Sequence, residues 1–253
     1  MNLEFYNCPQ AEKFRTEILP KEKPLFVTYK PDFELLQKIS TQYHQYPNIL
    51  IIGQGGSLNP LLGFYSALQY QAKKKVYFLN TVDPDYISEL KIILQPENTL
   101  VISISKSGEN TTQLEETMPF ADYPVLVVTG KASPLRAIAE KMNWQVIDHP
   151  PIGGRFSGLT EVNLVGAAIA GLDVESLWQG GQEVYSDYEK DNLAWRAAFV
   201  FYQLEQKGYV DVLMFFYSHF LFPSSSAIIQ LCHESFGKAG KGQSYFAHEG
   251  PEV

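Results

Sequence analysis

Between residues 49 and 147, short apolar runs and helical patterns take turns, and this alternation constrains the fold more than any other feature of the chain. The runs at 49–52, 76–79, 100–104, 125–128 and 144–147 are rich in Val, Ile and Leu and too short for helices. Helix-like spacing fills the intervals at 58–71, 86–94, 111–118 and 134–142. A strand that is apolar on consecutive residues needs cover on both faces, and the intervening helices can supply it. Right-handed crossovers then make the sheet doubly wound, so the predicted class is α/β with a doubly wound parallel sheet. Ligands of such sheets bind beyond the carboxyl ends of the strands.

The flanks read differently. Residues 1–31 carry Pro9, Pro20, Pro24 and Pro31 and are expected to form an arm lying on the body, anchored by Phe5, Tyr6, Phe14 and Phe26. A helix is predicted over 32–43, with Asp32 as its cap and Phe33, Leu36 and Ile39 at helical spacing. From Gly158 the pattern turns helical at 159–169, 174–188 and 193–206, followed by a strand at 210–216 and a helix at 224–236. One strand with a few helices is too little for a second full parallel sheet. The expected organisation is therefore an arm over 1–31, a first domain over 32–158, and a helical connection with an incomplete second α/β unit over 159–253. A length of 253 residues suffices for one domain or two packed units.

Charge and cysteine usage narrow the function. A net charge of −8 and a pI near 5.2 argue against a nucleic-acid partner or an anionic membrane surface, both of which call for a basic patch. An anionic small substrate must then be held by local cations. Cys8 and Cys232 lie far apart, which offers neither a disulfide framework nor a metal spacing and suits the cytosol. The start lacks the basic end and apolar run of a signal peptide. The most apolar stretch, 212–222, is too short to span a membrane and contains Ser218 and His219.

Four local elements carry chemistry. Ser103-Ile104-Ser105-Lys106-Ser107-Gly108-Glu109-Asn110-Thr111-Thr112-Gln113-Leu114-Glu115 places hydroxyls, an amine and a Gly between a strand and a helix. Free backbone N–H groups at a helix start favour an anion, and the hydroxyls and Lys106 add donors. Ordinary capping explains the Ser, Asn and Thr alone, but capping needs no cation between two serines. The first strand ends in Gly53-Gln54-Gly55-Gly56-Ser57, where Gly55 and Gly56 permit close backbone approach to a ligand; Leu58 replaces the third Gly of a dinucleotide loop. Gly153-Gly154-Arg155-Phe156-Ser157-Gly158 holds an Arg on a Gly-Gly turn, with the Gly154 backbone available to a substrate. In His233-Glu234-Ser235-Phe236-Gly237-Lys238, Glu234 points along an apolar stripe near a helix end, where burial and the negative terminus raise a carboxylate's basicity.

In order and rough spacing, these four elements resemble the glucose-6-phosphate isomerase family, which is built on paired sugar isomerase (SIS) domains. Asn80 to Leu94, with Thr81-Val82-Asp83-Pro84, is similar to the family's connection between the first two. The resemblance covers residues 49–251 and implies an SIS fold of the flavodoxin-like kind. It also implies interconversion of glucose 6-phosphate and fructose 6-phosphate, no metal or organic cofactor, and a homodimer. Ser57, Ser105, Lys106 and Ser107 match the family's phosphate contacts; a Thr completes that set, and Glu109 and Asn110 interrupt the run so that Thr111 is the match, with Asn110 and Thr112 as alternatives. Arg155 matches the residue that steadies the enediolate, and Glu234 the base that moves the proton between C2 and C1. Relatives continue past the equivalent of Val253 into segments with a ring-opening His and a Lys near the substrate, so the chain reads as shortened at its C-terminus. A non-catalytic SIS-type sugar-phosphate binder is the alternative reading.

Overall fold

The computed structural model describes residues 4, 6, 13–19 and 22–250. Five strands, β1 (Asn48–Gly53), β2 (Lys75–Leu79), β3 (Thr99–Ser105), β4 (Val125–Thr129) and β5 (Gln145–Asp148), form one parallel sheet in the order β2-β1-β3-β4-β5. Each strand lies within a residue or two of its predicted run. Because side chains alternate across a strand, consecutive apolar residues serve two cores. Ile49, Ile51, Leu100, Ile102, Leu126 and Val128 face one cluster, whereas Leu50, Ile52, Val101, Val125 and Val127 face the other.

The helices are α1 (Leu25–Thr28), α2 (Phe33–Gln42), α3 (Asn59–Leu68), α4 (Pro84–Ile93), α5 (Thr111–Thr117), α6 (Pro134–Lys141), α7 (Glu161–Ala170), α8 (Val174–Ser186), α9 (Leu193–Glu205) and α10 (Ser225–Phe236). Asp32 caps α2 by accepting from the Leu35 N–H at 2.9 Å, as its sequence predicts. Leu36 and Ile39 of α2, Leu61 of α3 and nearly all of α7 fill the first core; Leu90 of α4 with Leu135 and Ala139 of α6 fill the second. Thus α7, which the sequence places in the helical connection, is buried along its whole length in the core of the first sheet.

The arm is anchored only in part. Phe14 meets Phe199 of α9 edge-on at 5.9 Å, and Phe26 stacks on Phe156 at 4.7 Å. Tyr6 is 79% exposed, and its hydroxyl donates to the Glu4 carboxylate rather than anchoring the arm among the described residues. Phe5, Cys8, Pro9 and Pro20 lie outside the described residues.

The second unit contains two strands rather than one. β6 (Asp211–Phe216) pairs in parallel with β7 (Ser244–Glu249), and α10 lies between them in sequence. β7 has no apolar run; its backbone is held by β6 and by Tyr245 N–H, which donates to His233 Nε2 at 2.9 Å. Among the described residues no helix is long and apolar enough to cross a membrane, and no cluster of His, Cys, Asp and Glu could hold a metal.

Candidate active site

From β1 the chain crosses to β2 on one side, and from β3 to β4 on the other, so the carboxyl ends of β1 and β3 flank the point where strand order reverses. Crevices open at such points. Here one of about 410 Å³ is lined by Gln54 and Ser57 from the β1 loop and by Ser105, Lys106, Ser107, Asn110 and Gln113 from the β3 loop and α5. The structure therefore brings together the two loops that the sequence assigns to one end of one sheet.

The β3 loop is shaped by its own serines. Ser105 Oγ accepts from the Gly108 N–H at 3.2 Å and Ser107 Oγ from the Glu109 N–H at 3.3 Å. The Lys106 carbonyl accepts from the Gly130 N–H at 3.1 Å, which ties the loop to the end of β4. The Lys106 side chain is exposed and makes no ion pair with a carboxylate among the described residues. An unpaired ammonium beside three serine hydroxyls has the chemistry to hold an oxyanion.

Thr111 is not part of this lining. It is the first residue of α5 and exposed, whereas Asn110, the helix cap, accepts the Thr112 N–H at 3.1 Å and borders the crevice. Asn110, the residue between the loop and the first turn of α5, therefore borders the crevice in the place expected for Thr111.

The Gly55-Gly56-Ser57 turn joins this crevice to the remaining elements. Gly55 has φ +55°, and a Cβ there would meet Gln230 Nε2 at 2.3 Å; a Cβ on Gly56 would meet the Gly154 carbonyl oxygen at 2.1 Å. The Gly56 carbonyl accepts from Asn163 Nδ2 at 3.0 Å, and Asn163 Oδ1 accepts from the Leu61 N–H at 3.1 Å. Buried Asn163 of α7 thus fixes the turn to the start of α3. Nothing approaches within 4 Å of a Cβ built on Gly154, so its glycine is not demanded by packing.

Arg155 donates through Nε to Ser235 Oγ at 3.0 Å and lies over the Phe156 ring at 4.7 Å. Its Nη1 is 3.8 Å from Glu234 Oε2. Arg155 and Glu234, far apart in sequence, are thereby neighbours, and both adjoin the glycine turn. The predicted burial of Glu234 is not found: its side chain is 49% exposed because the outer face of α10 has no cover among the described residues. Gln230, one turn earlier, donates through Nε2 to Glu234 Oε1 at 2.8 Å.

Sequence reasoning misses Gln230, Asn163, Gln113 and a buried carboxylate. Glu116 of α5 is fully buried; Oε1 accepts from Gln54 Nε2 at 2.6 Å, and Oε2 has no hydrogen-bond partner among the described residues. Burial outweighs that bond and pushes the Glu116 carboxyl up to about 7. His149, at the end of β5, is also buried; desolvation, and to a lesser degree Lys106, hold its imidazole below the usual range. Gln113, Glu116 and Thr117 follow helical spacing, and Gln113 and Thr117 meet Ser103, a polar residue inside an apolar strand. That buried polar stripe is the signal available in the sequence.

No family model matches the chain. Among curated proteins it is 26% identical over 255 residues to the glucose-6-phosphate isomerase of Carboxydothermus hydrogenoformans, covering 88% of this chain and 55% of that one. The glucose-6-phosphate isomerase of Cyanothece sp. is 30% identical, covering 96% of this chain and 50% of its own. Among solved structures, a glucose-6-phosphate isomerase from Chlamydia trachomatis superposes with a TM-score of 0.75 at 24% identity, covering 86% of this chain and 48% of that one. The chain spans about half the length of the curated relatives it matches. Along most of its own length, then, this chain is similar to about half of a glucose-6-phosphate isomerase, and its five-stranded unit has the sugar isomerase fold.

Proposed function

We propose that the crevice between β1 and β3 binds the phosphate of a hexose 6-phosphate and that Glu234 and Arg155 act on its open-chain form, interconverting glucose 6-phosphate and fructose 6-phosphate. The observation that carries this reading is the unpaired Lys106 among Ser57, Ser105 and Ser107, joined through the Gly55-Gly56 turn to the Arg155–Glu234 pair. Relatives named for this activity support the substrate class.

Each residue type suits its step. The Glu234 carboxylate takes the proton from C2 of the aldose, and the electron pair released forms the C1–C2 double bond of a cis-enediol. Negative charge grows on a substrate oxygen, where a fixed guanidinium stabilises it. Protonated Glu234 then returns the proton to C1 while the proton of the O2 hydroxyl passes to O1, giving the ketose and restoring the carboxylate. A proton moved within one substrate requires no metal and no organic cofactor. The net charge of −8 speaks against nucleic acid as a partner. The resemblance supports a homodimer, and the sparse, widely separated cysteines support the cytosol.

A binding protein without turnover is the second reading, favoured by one observation: Glu234 is half-exposed and faces Arg155 rather than an apolar wall. A coupled assay that consumes glucose 6-phosphate, started with fructose 6-phosphate, separates the two. Turnover that disappears in Glu234→Gln supports the isomerase; saturable binding of glucose 6-phosphate with no turnover supports the binder.

A further inference from the structure

Gln54 and Glu116 form a pair at the wall of the phosphate crevice that the reaction outlined above does not use. Gln54 follows directly on β1 and lines the crevice. Its Nε2 donates to Glu116 Oε1 at 2.6 Å, and this is the one hydrogen bond of the Glu116 side chain among the described residues. A fully buried carboxylate with one partner is costly, and an apolar residue of similar size would fill the position with less penalty. What Glu116 does is hold the Gln54 amide.

It also fixes which way that amide faces. An amide has a donor end and an acceptor end, and with Glu116 ionised the flipped orientation would set Gln54 Oε1 against a carboxylate oxygen. With one N–H of Nε2 committed to Glu116, the amide is held in this orientation and its carbonyl oxygen is the acceptor left for a ligand. That carbonyl accepts from a hydroxyl and not from a phosphate oxygen, so Gln54 offers this wall an acceptor suited to the carbon chain of the substrate. Lys106 and the serines suit the phosphate.

We infer that Gln54 is a specificity-determining residue that accepts a hydrogen bond from a sugar hydroxyl, and that Glu116 is the positioning residue that aims it. The inference rests on the proposed placement of the phosphate at Ser105, Lys106 and Ser107, and it adds a reader of the sugar to that site. Sugar phosphates are thereby separated from phosphate esters lacking hydroxyls.

Calorimetric titration of the full 253-residue chain with two probes, glucose 6-phosphate and inorganic phosphate, tests this. Gln54→Leu should weaken glucose 6-phosphate binding about tenfold, the scale of one hydrogen bond, and leave phosphate affinity unchanged. Glu116→Leu should do the same, and combining it with Gln54→Leu should add no further loss, because the two act through one contact. Glu116→Gln keeps an acceptor for Gln54 Nε2 and should hold glucose 6-phosphate within about twofold of the parent. Melting temperatures show whether Glu116→Leu folds; if it does not, Gln54→Leu and Glu116→Gln decide the matter. Parent-like glucose 6-phosphate binding by Gln54→Leu, or an equal loss of both probes, overturns the inference while the phosphate site stands. Failure of the parent chain to bind either probe overturns the phosphate site and this inference with it.

Discussion

Gln230 donates from Nε2 to Oε1 of Glu234 at 2.8 Å, one helical turn away on α10, and its own Oε1 accepts from Asn59 Nδ2 at 3.1 Å. An exposed Glu on a helix face is ordinarily free to choose rotamers. Here the Glu234 carboxylate is tethered through Gln230 to the first residue of α3, beside the glycine turn. Holding a base within reach of a carbon acid is worth more to the reaction than to the fold. Gln230→Leu should therefore lower turnover roughly tenfold, the scale of a hydrogen bond to a charged group, with phosphate affinity retained. Steady-state kinetics with calorimetry checks this, and a parallel fall in both would reassign Gln230 to binding.

Lys106 is the cation lining the crevice, and among the described residues its ammonium has no carboxylate to leave behind. Lys106→Ala should weaken glucose 6-phosphate binding by roughly 1.5–3 kcal/mol, the range for a hydrogen bond to a charged group, without lowering the melting temperature. Unchanged affinity would remove the phosphate from this loop.

The glycine turn separates packing from chemistry. A Cβ on Gly56 would sit 2.1 Å from backbone oxygen of Gly154, so Gly56→Ala must push two loops apart; a destabilisation of about 1–3 kcal/mol is expected by chemical denaturation. Gly154→Ala meets open space and should be near neutral in stability. Equal effects of the two substitutions would contradict the described contact between the loops.

Glu116 gives the stability a pH signature. Its carboxyl rises from the usual value near 4.5 to about 7 in the folded chain, so between these limits the folded state binds more protons than the unfolded one. This contribution is fully present below pH 4.5, declines as pH rises, and is lost above about 7, for a total of roughly 3 kcal/mol. Depression of buried His149 acts oppositely, favouring the fold above about pH 6.5, where the unfolded imidazole is also neutral. Comparing Glu116→Gln with the parent isolates the first effect: the stability difference should change steadily from pH 4.5 to 7 and be flat outside. A difference independent of pH would mean that Glu116 is ionised throughout.

How legible the molecule is in its sequence follows from where each residue finds its partners. β1 to β5 are read correctly because a strand buried on both faces must be apolar on consecutive residues. β7 escapes because Ser244-Tyr245-Phe246-Ala247-His248-Glu249 is placed by backbone pairing with β6, and its alternation is broken by Ala247 and the two polar residues after it. The loops at Ser105–Ser107 and Gly55–Ser57 stand out because their composition is wrong for plain turns. Glu116 is hidden beside Glu115: the two look like one solvated pair, yet one is exposed and the other fully buried. Only the helical spacing of Glu116 with Gln113 and Thr117, which meet Ser103, distinguishes them. Glu234 shows the reverse error, since an apolar stripe on α10 suggests cover that the described residues do not provide.

The proposed chemistry centres on a proton passing between C2 and C1 through Glu234, and solvent exchange at C2 reports that step without requiring net conversion. Glucose 6-phosphate is incubated with the 253-residue chain in deuterium oxide, and loss of the C2 proton signal is followed by NMR. The account predicts exchange catalysed by the parent and slowed by at least about a hundredfold in Glu234→Gln, with sugar-phosphate affinity little changed. Equal exchange rates for the parent and Glu234→Gln, or no exchange in a parent that binds glucose 6-phosphate, would contradict it.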